Sequence, residues 1–439
     1  MLAACAANPI VAPASSPTQS LPDAAVVNRA SAVGGSDAIA DLNPEAAVAP
    51  ADVASPLPYP APLADAALAA APEPAGPGAS GGLQRYLGRL SAVSCPKGSK
   101  RELAKTLAIS AKPVPLQMLN PSRRKVGALD YVGGFHLTSP DARFGGLSGL
   151  DVLENGDLLA VSDQGDFVWI DLGADGFTPT SARLAPMLDA SGDPLRGKAA
   201  GDAEGLAIQG DMSLVSFERD HRVLAYDVGA CGSAARGAPI VTGGFGRQLP
   251  EAFAAAGIIA GENAGAEPLA VTEDWYLFAG LETKADGAGP LSARPIEAEA
   301  EFDLRVGAGA PDFVGLDLLE AAGGGVRAFS LHRGGDQLLG AAIIVSESVF
   351  SRDMDQANLP ARITGGTSER LRYRFSITRE RRLAEMGVLL TIDNFEGIAA
   401  KQLDDGRVRL FIVSDNNFSA RQRTLLMVFD LSASSCPSC

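Results

Sequence analysis

The sequence predicts an all-β fold, a β-propeller of six four-stranded blades over residues 83–439, preceded by a disordered Ala/Pro-rich tail. Three observations predict it: paired polar residues that recur along the chain, Gly- and Asp-bearing turn signals between short apolar runs, and a change of composition near residue 82. Five and seven blades are the alternatives to six.

The chain opens Met1-Leu2-Ala3-Ala4-Cys5, and Leu-Ala-Ala-Cys resembles a bacterial lipobox, in which the Cys is lipidated after signal cleavage. Residues 1–5 are therefore expected to be the remnant of a lipoprotein signal peptide with Cys5 as the lipidation site, an accidental match being the alternative. Export to the periplasm or outer membrane of the cell envelope follows. Residues 6–82 are dominated by Ala, Pro, Ser and Gly, too few large apolar side chains to offset chain entropy, and read as an extended spacer. No run of about 20 apolar residues occurs, so the sequence predicts no transmembrane helix and membrane contact only through the lipid.

The internal repeat begins with a polar residue in an apolar frame and ends, after a hairpin, with a second polar residue. Its copies are Gly146-Leu147-Ser148-Gly149 leading to Asp163, Ala203-Glu204-Gly205-Leu206 to Glu218, Ala266-Glu267-Pro268-Leu269 to Glu282, Gly315-Leu316-Asp317-Leu318 to His332, and Phe395-Glu396-Gly397-Ile398 to Asp415. The two key residues lie 15 (148 to 163), 14 (204 to 218), 15 (267 to 282), 15 (317 to 332) and 19 (396 to 415) positions apart. Turn signals such as Asn155-Gly156, Gly210-Asp211 and Asp405-Gly406 sit between them. In an antiparallel hairpin the start of one strand and the end of the next share an edge, so each copy places both residues on one rim. The copies are spaced as four-stranded blades are, and segments 100–140 and 340–385 are the candidates for a sixth blade.

Blades arranged radially bring Asp163, Glu204, Glu218, Glu267, Glu282, Glu396 and Asp415 round one opening, with Ser148, Asp317 and His332 at the weaker positions. Crowded carboxylates are pushed toward protonation unless a cation neutralises them, and Ca²⁺ is the hard, oxygen-liganded candidate. Asp163, Glu204, Glu267, Glu396 and Asp415 are the expected metal ligands. Arg219, Lys284 and Arg333 are the expected phosphate contacts, since guanidinium and ammonium groups hold phosphate oxygens. Glu218 and His221 are the expected catalytic acid–base residues. Structural uses compete at every position: acids that cap turns, salt bridges between blades, a satisfied histidine.

Gly145-Gly146-Leu147-Ser148-Gly149-Leu150, Glu204-Gly205-Leu206-Ala207 with Ser216-Phe217-Glu218-Arg219-Asp220-His221-Arg222, and Asn394-Phe395-Glu396-Gly397-Ile398-Ala399 with Ser414-Asp415-Asn416-Asn417-Phe418 resemble the bacterial phytase-like (esterase-like) β-propeller family. Gln422-Arg423-Thr424 extends the likeness, which runs from about 125 to 432. The resemblance implies a propeller similar to calcium-dependent phytases, whose inositol phosphate substrate is held by a carboxylate-bound calcium cluster. The chain departs from the repeat at Ser148, where a Glu is expected, and at Pro268, where a Gly is expected.

The expected activity is a metal-dependent phosphoesterase-like hydrolase acting on a small phosphoester or ester. The alternatives are a non-catalytic envelope propeller that binds a glycan, peptide or protein, and a lactonase-type hydrolase. A net charge of −15 argues against nucleic-acid partners, because phosphate neutralisation needs clustered Lys and Arg. There is no P-loop and no H-E-x-x-H, and Gly146-Leu147-Ser148-Gly149-Leu150 does not fit the G-x-S-x-G elbow, its second glycine coming one residue early. Cys95, Cys231, Cys436 and Cys439 allow two disulfides, with a bridge between the two ends of the domain and free thiols both open.

Overall fold

A computed structural model describes residues 81–219, 221–240, 265–283, 287–321, 323–336, 340–354 and 373–433, with 254 and 257. Cys5, Lys284, Cys436 and Cys439 lie outside these residues. Five antiparallel sheets are present among the described residues. From innermost to outermost strand, blade one is Leu147–Val152, Leu158–Ser162, Asp166–Leu172 and Pro179–Pro186, with Lys105–Leu107 added outside. Blade two is Ala203–Gln209, Met212–Phe217, Arg222–Asp227 and Ala238–Pro239; blade three is Leu269–Val271, Tyr276–Gly280, Gly289–Pro295 and Leu304–Val306. Blade four is Asp312–Glu320, Val326–Asp336, Gly340–Met354 and Tyr373–Met386.

Blade five joins the two ends of the domain. Its strands Asn394–Gln402, Val408–Asp415 and Thr424–Leu431 come from the end of the chain, and Leu129–Thr138 supplies the fourth, pairing Leu137 with Thr424 and Leu129 with Leu431. Ser110–Pro113 and Lys125–Val126 pair with that strand in turn. The innermost strands touch in cyclic order, one to two, two to three, three to four, four to five and five to one, so the ring is closed.

The blade count is thus five, not six. The segments expected to hold a sixth blade are used elsewhere: Lys105–Leu107, Ser110–Pro113 and Leu129–Thr138 are outer strands of blades one and five, and Gly340–Met354 and Tyr373–Met386 complete blade four. Outer strands carry no rim residue, which is why they bear no copy of the repeat.

Five apolar clusters fill the five spaces between adjacent blades. In the second strand of blade one, Leu158 and Ala160 face blade five while Leu159 and Val161 face blade two. A strand covered on both faces needs no polar alternation, which accounts for the run Leu158-Leu159-Ala160-Val161. Helix Gly81–Ser94 was not foreseen from the sequence; it packs Tyr86, Leu90 and Val93 into the space between blades two and three. Cys95, just after it, is bonded to Cys231. The disulfide therefore ties the start of the domain to blade two rather than to its far end.

Candidate functional site

The Glu-Gly step of the repeat has a local physical cause. In blades one, four and five the register slips between Leu147 and Gly149, Phe313 and Gly315, and Phe395 and Gly397, and in blade two it slips opposite Glu204. Each slip is a β-bulge whose extra residue sits at the channel mouth: Ser148, Glu204, Val314 and Glu396. The following glycine is required because the next blade's backbone occupies the place of a Cβ. A Cβ on Gly149 would lie 2.9 Å from the Glu204 carbonyl oxygen, and one on Gly397 would lie 2.7 Å from that of Ser148. Gly205 meets the Glu267 carbonyl, and Gly315 that of Glu396, in the same way. Ser148, Glu204, Glu267, Val314 and Glu396 accordingly line one narrow opening, with a cavity volume of about 10 Å³.

The second residue of each copy ends the second strand beside its bulge. The backbone N–H groups of Asp163, Glu218 and Glu282 donate to the carbonyls of Gly146, Asp202 and Gly265, and Asp415 pairs with Asn394. In blade four the equivalent pair is Asp312 with Arg333. The sequence register there is corrected accordingly: Val314 and Arg333, not Asp317 and His332, occupy the rim. Asp317 lies further down its strand, where its carboxylate accepts from the N–H groups of Leu318 (2.7 Å) and Ala400 (2.6 Å), pinning blade four to blade five. Asp151 does the same between blades one and two through Val152 and Ile208. His332 is fully buried, stacked on Phe313 and 3.0 Å from the Ser330 hydroxyl.

The rim concentrates negative charge in a poorly hydrated place. Burial, then the Asp202 and Glu282 carboxylates, raise Glu218 to about 7. Burial raises Glu396 to about 8 against the pull of Arg333, and Asp415 to about 6. Glu204 and Glu267 are raised well above the ordinary carboxylate range, first by burial and then by neighbouring acids. Two groups of carboxylates have oxygens within 4.8 Å of one another: Asp202, Glu204 and Glu218, and Glu218, Glu267 and Glu282. Glu218, expected as a catalytic residue, is common to both. Of the five expected ligands, Glu204 and Glu267 fall in these groups; Asp163, Glu396 and Asp415 form a second arc of the rim.

Buried, mutually repelling oxygen donors fit a hard divalent cation, which would remove both the repulsion and the cost of burial.

The rim cations are engaged with acids. Arg333 donates to Glu396 (2.7 Å), Glu282 (2.9 Å) and the Asn394 side chain. Arg219 donates to Asp202 (2.7 Å), and Lys198 lies 3.1 Å from Asp163 and 3.6 Å from Asp202. His221 follows Glu218 in a turn at φ 50°, its N–H donating to the Glu218 carbonyl, and burial lowers its imidazole. Sequence reasoning missed Asp202 and Lys198. Asp202 was findable, because it stands two residues before Glu204 as Asn394 stands before Glu396; Lys198 carries no such signal.

A further depression adjoins the rim at Asp163. It is lined by Ala142, Arg143, Asp166, Pro186, Leu195 and Arg196, among others, and has a cavity volume of about 500 Å³. Gly146 makes this junction possible: it sits at φ 60°, and a Cβ there would collide with the Asp163 carboxylate and the Phe418 ring. Its N–H donates to Asn416 Oδ1 at 2.9 Å, tying blade one to blade five.

Residues 142–418, well over half of the chain, match the family model described as "Phytase-like: Esterase-like activity of phytase". No curated protein matches. Similar solved structures include the PQQ-bound aldose sugar dehydrogenase of Streptomyces coelicolor (14% identity, 74% of this chain and 100% of that one, TM-score 0.35). They also include the glutaminyl cyclase of Myxococcus xanthus (13%, 75% and 100%, TM-score 0.32). A third is the gluconolactonase XC5397 of Xanthomonas campestris (11%, 75% and 99%, TM-score 0.30). At these scores the likenesses carry no weight for the chemistry, and the five-bladed ring rests on the sheet topology.

Proposed function

For a chain that belongs to the phytase-like family, we propose a divalent-cation-dependent hydrolase acting at the acidic end of the channel, with phosphoesters as substrate and Ca²⁺ as the cation. The observation that carries the reading is the pair of carboxylate groups joined at Glu218, in which Asp202, Glu218 and Glu267 are buried and Glu204 and Glu282 half-buried. Asp202, Glu204, Glu218, Glu267 and Glu282 would hold the cation, with Asp163, Glu396 and Asp415 completing the ring. When bound, such an ion polarises an ester or phosphoryl oxygen and lowers the pKa of a bound water. Hydrolysis consumes one water: its oxygen bonds to phosphorus, the P–O bond to the alcohol breaks, and its protons end on the phosphate and the alcohol. Arg333 and Arg219 fix the orientation of Glu282, Glu396 and Asp202 around the reacting centre.

A carboxylic ester or lactone is the second reading, and one observation favours it. Arg219, Arg333 and Lys198 are each paired with a rim acid, which leaves little cationic capacity in the ring for a substrate bearing several phosphates. Turnover of p-nitrophenyl phosphate, p-nitrophenyl acetate and a γ-lactone, with EDTA and after calcium is restored, separates the two. Phosphate release that disappears in EDTA and in Glu204→Gln/Glu267→Gln supports the first reading, and acetate or lactone turnover alone supports the second. Turnover that survives chelation and the double substitution refutes both.

A further inference from the structure

The depression beside Asp163 has a charge character opposite to that of the ring. Three cations, Arg143, Arg196 and Lys198, line it with two carboxylates, Asp163 and Asp166. Four of the five are already matched: Arg143 grips Asp166 through both Nε (3.2 Å) and Nη2, and Lys198 lies against Asp163 at 3.1 Å. Arg196 makes no hydrogen bond or ion pair among the described residues and is exposed to solvent; it feels the charge of Asp166 from a distance, and its guanidinium donors are not taken up by either carboxylate of the lining. Between the charges lie apolar surfaces: Ala142, Pro186, Pro194, Leu195 and the 40% exposed ring of Phe418. Asp163 belongs both to this lining and to the acidic ring, where its charge is felt by Glu396 and Asp415.

We propose that this depression is the substrate's recognition subsite, taking a small organic anion with an apolar body and one carboxylate or phosphate group. Arg196 holds the anionic group, while Phe418, Leu195 and the two prolines cover the apolar body. Lys198 and Arg143 keep the buried Asp163 and Asp166 from repelling the ligand. The inference rests on the proposed hydrolytic function for the term "substrate" and names its class: an ester whose retained portion carries one anionic group on a partly apolar body. The shared wall at Asp163 puts that group next to the ring where the ester bond would be cut. A second anionic group would have to face the carboxylate ring, so polyanionic ligands are disfavoured.

The test is binding without metal or turnover, so that failure of this inference and failure of the hydrolase reading are separable. Phenyl phosphate, benzoate and benzyl alcohol are titrated by calorimetry into the full chain in EDTA, with Arg196→Ala, Arg196→Gln and Lys97→Ala, an exposed site on the loop after the first helix. The expected result is saturable binding of both anions, little of the alcohol, and about tenfold weaker anion binding in both Arg196 variants, the scale of a lost charge-assisted hydrogen bond. Lys97→Ala is expected to bind as the wild type does. Equal binding of benzyl alcohol, unchanged binding in correctly folded Arg196 variants, or no anion binding by the wild type overturns the proposal.

Discussion

Replacing Glu218 by Gln isolates the energetic cost of the rim. Glu218 rises from 4.5 to about 7 in the folded protein, so the native state holds this proton more tightly than the unfolded chain does. The associated stability is fully present below about pH 4.5 and is lost as pH climbs to about 7. At roughly 1.4 kcal/mol per pKa unit, the loss is on the order of 3 kcal/mol. Glutamine keeps the shape and removes the charge. In EDTA, Glu218→Gln is expected to match the wild type at pH 5 and to exceed it by about 2–3 kcal/mol at pH 8. With a urea slope of about 3 kcal/mol/M, that difference moves the unfolding midpoint by roughly 1 M. With saturating calcium the order is expected to reverse, because the variant puts a neutral amide in place of the charged carboxylate shared by both groups. A Glu218→Gln protein less stable than the wild type at pH 8 in EDTA, or an equal difference at both pH values, would refute the reasoning.

Arg333→Met removes the guanidinium between Glu282 and Glu396, and at pH 8 it is expected to destabilise the apo protein by about 3–5 kcal/mol. The loss should shrink at pH 5, well below the value of about 8 to which Glu396 is raised, where that acid holds a proton; a pH-independent loss in urea titrations would assign it to packing instead. Gly397→Ala places a Cβ 2.7 Å from the Ser148 carbonyl at the seam between blades five and one and should cost about 1–3 kcal/mol. Gly387→Ala, which meets nothing within 4 Å, is the control and should be near neutral in the same thermal melts.

The parts of this architecture that could be read from the sequence are those where several constraints coincide in a short stretch. Glu-Gly-Leu-Ala and Glu-Gly-Ile-Ala stand out because the bulge, the close approach of the next blade and the rim carboxylate all act on adjacent residues. Blade four was misread because Asp317 and His332 look as polar in an apolar frame as a rim pair does. The true rim residue there is an apolar Val314, and the bulge that identifies it is visible only in the pairing of strands. The sixth blade was an overcount, because outer strands such as Leu129–Thr138 pair across nearly the whole chain and carry no local mark of the sheet they join. The partners of Arg333, Arg219 and Lys198 were equally hidden. A cation close to an acid in sequence looks available for ligand, whereas Arg333 turns onto Glu282 and Glu396 of the neighbouring blades and Arg219 onto Asp202 of its own. Arg196 lies on a loop and Lys198 opens the short helix Lys198–Gly201; neither has a repeat counterpart, so nothing in the repeat pointed to them.

The central claim is that the buried carboxylates joined at Glu218 exist to hold a divalent cation, and calorimetric titration of calcium into EDTA-stripped, dialysed protein at pH 7 tests it most directly. The account predicts saturable, stoichiometric binding with a matching rise in melting temperature, both abolished or strongly weakened in Glu204→Gln/Glu267→Gln. No heat and no change in melting up to about 10 mM calcium, beyond the weakest ordinary calcium modules, would contradict it.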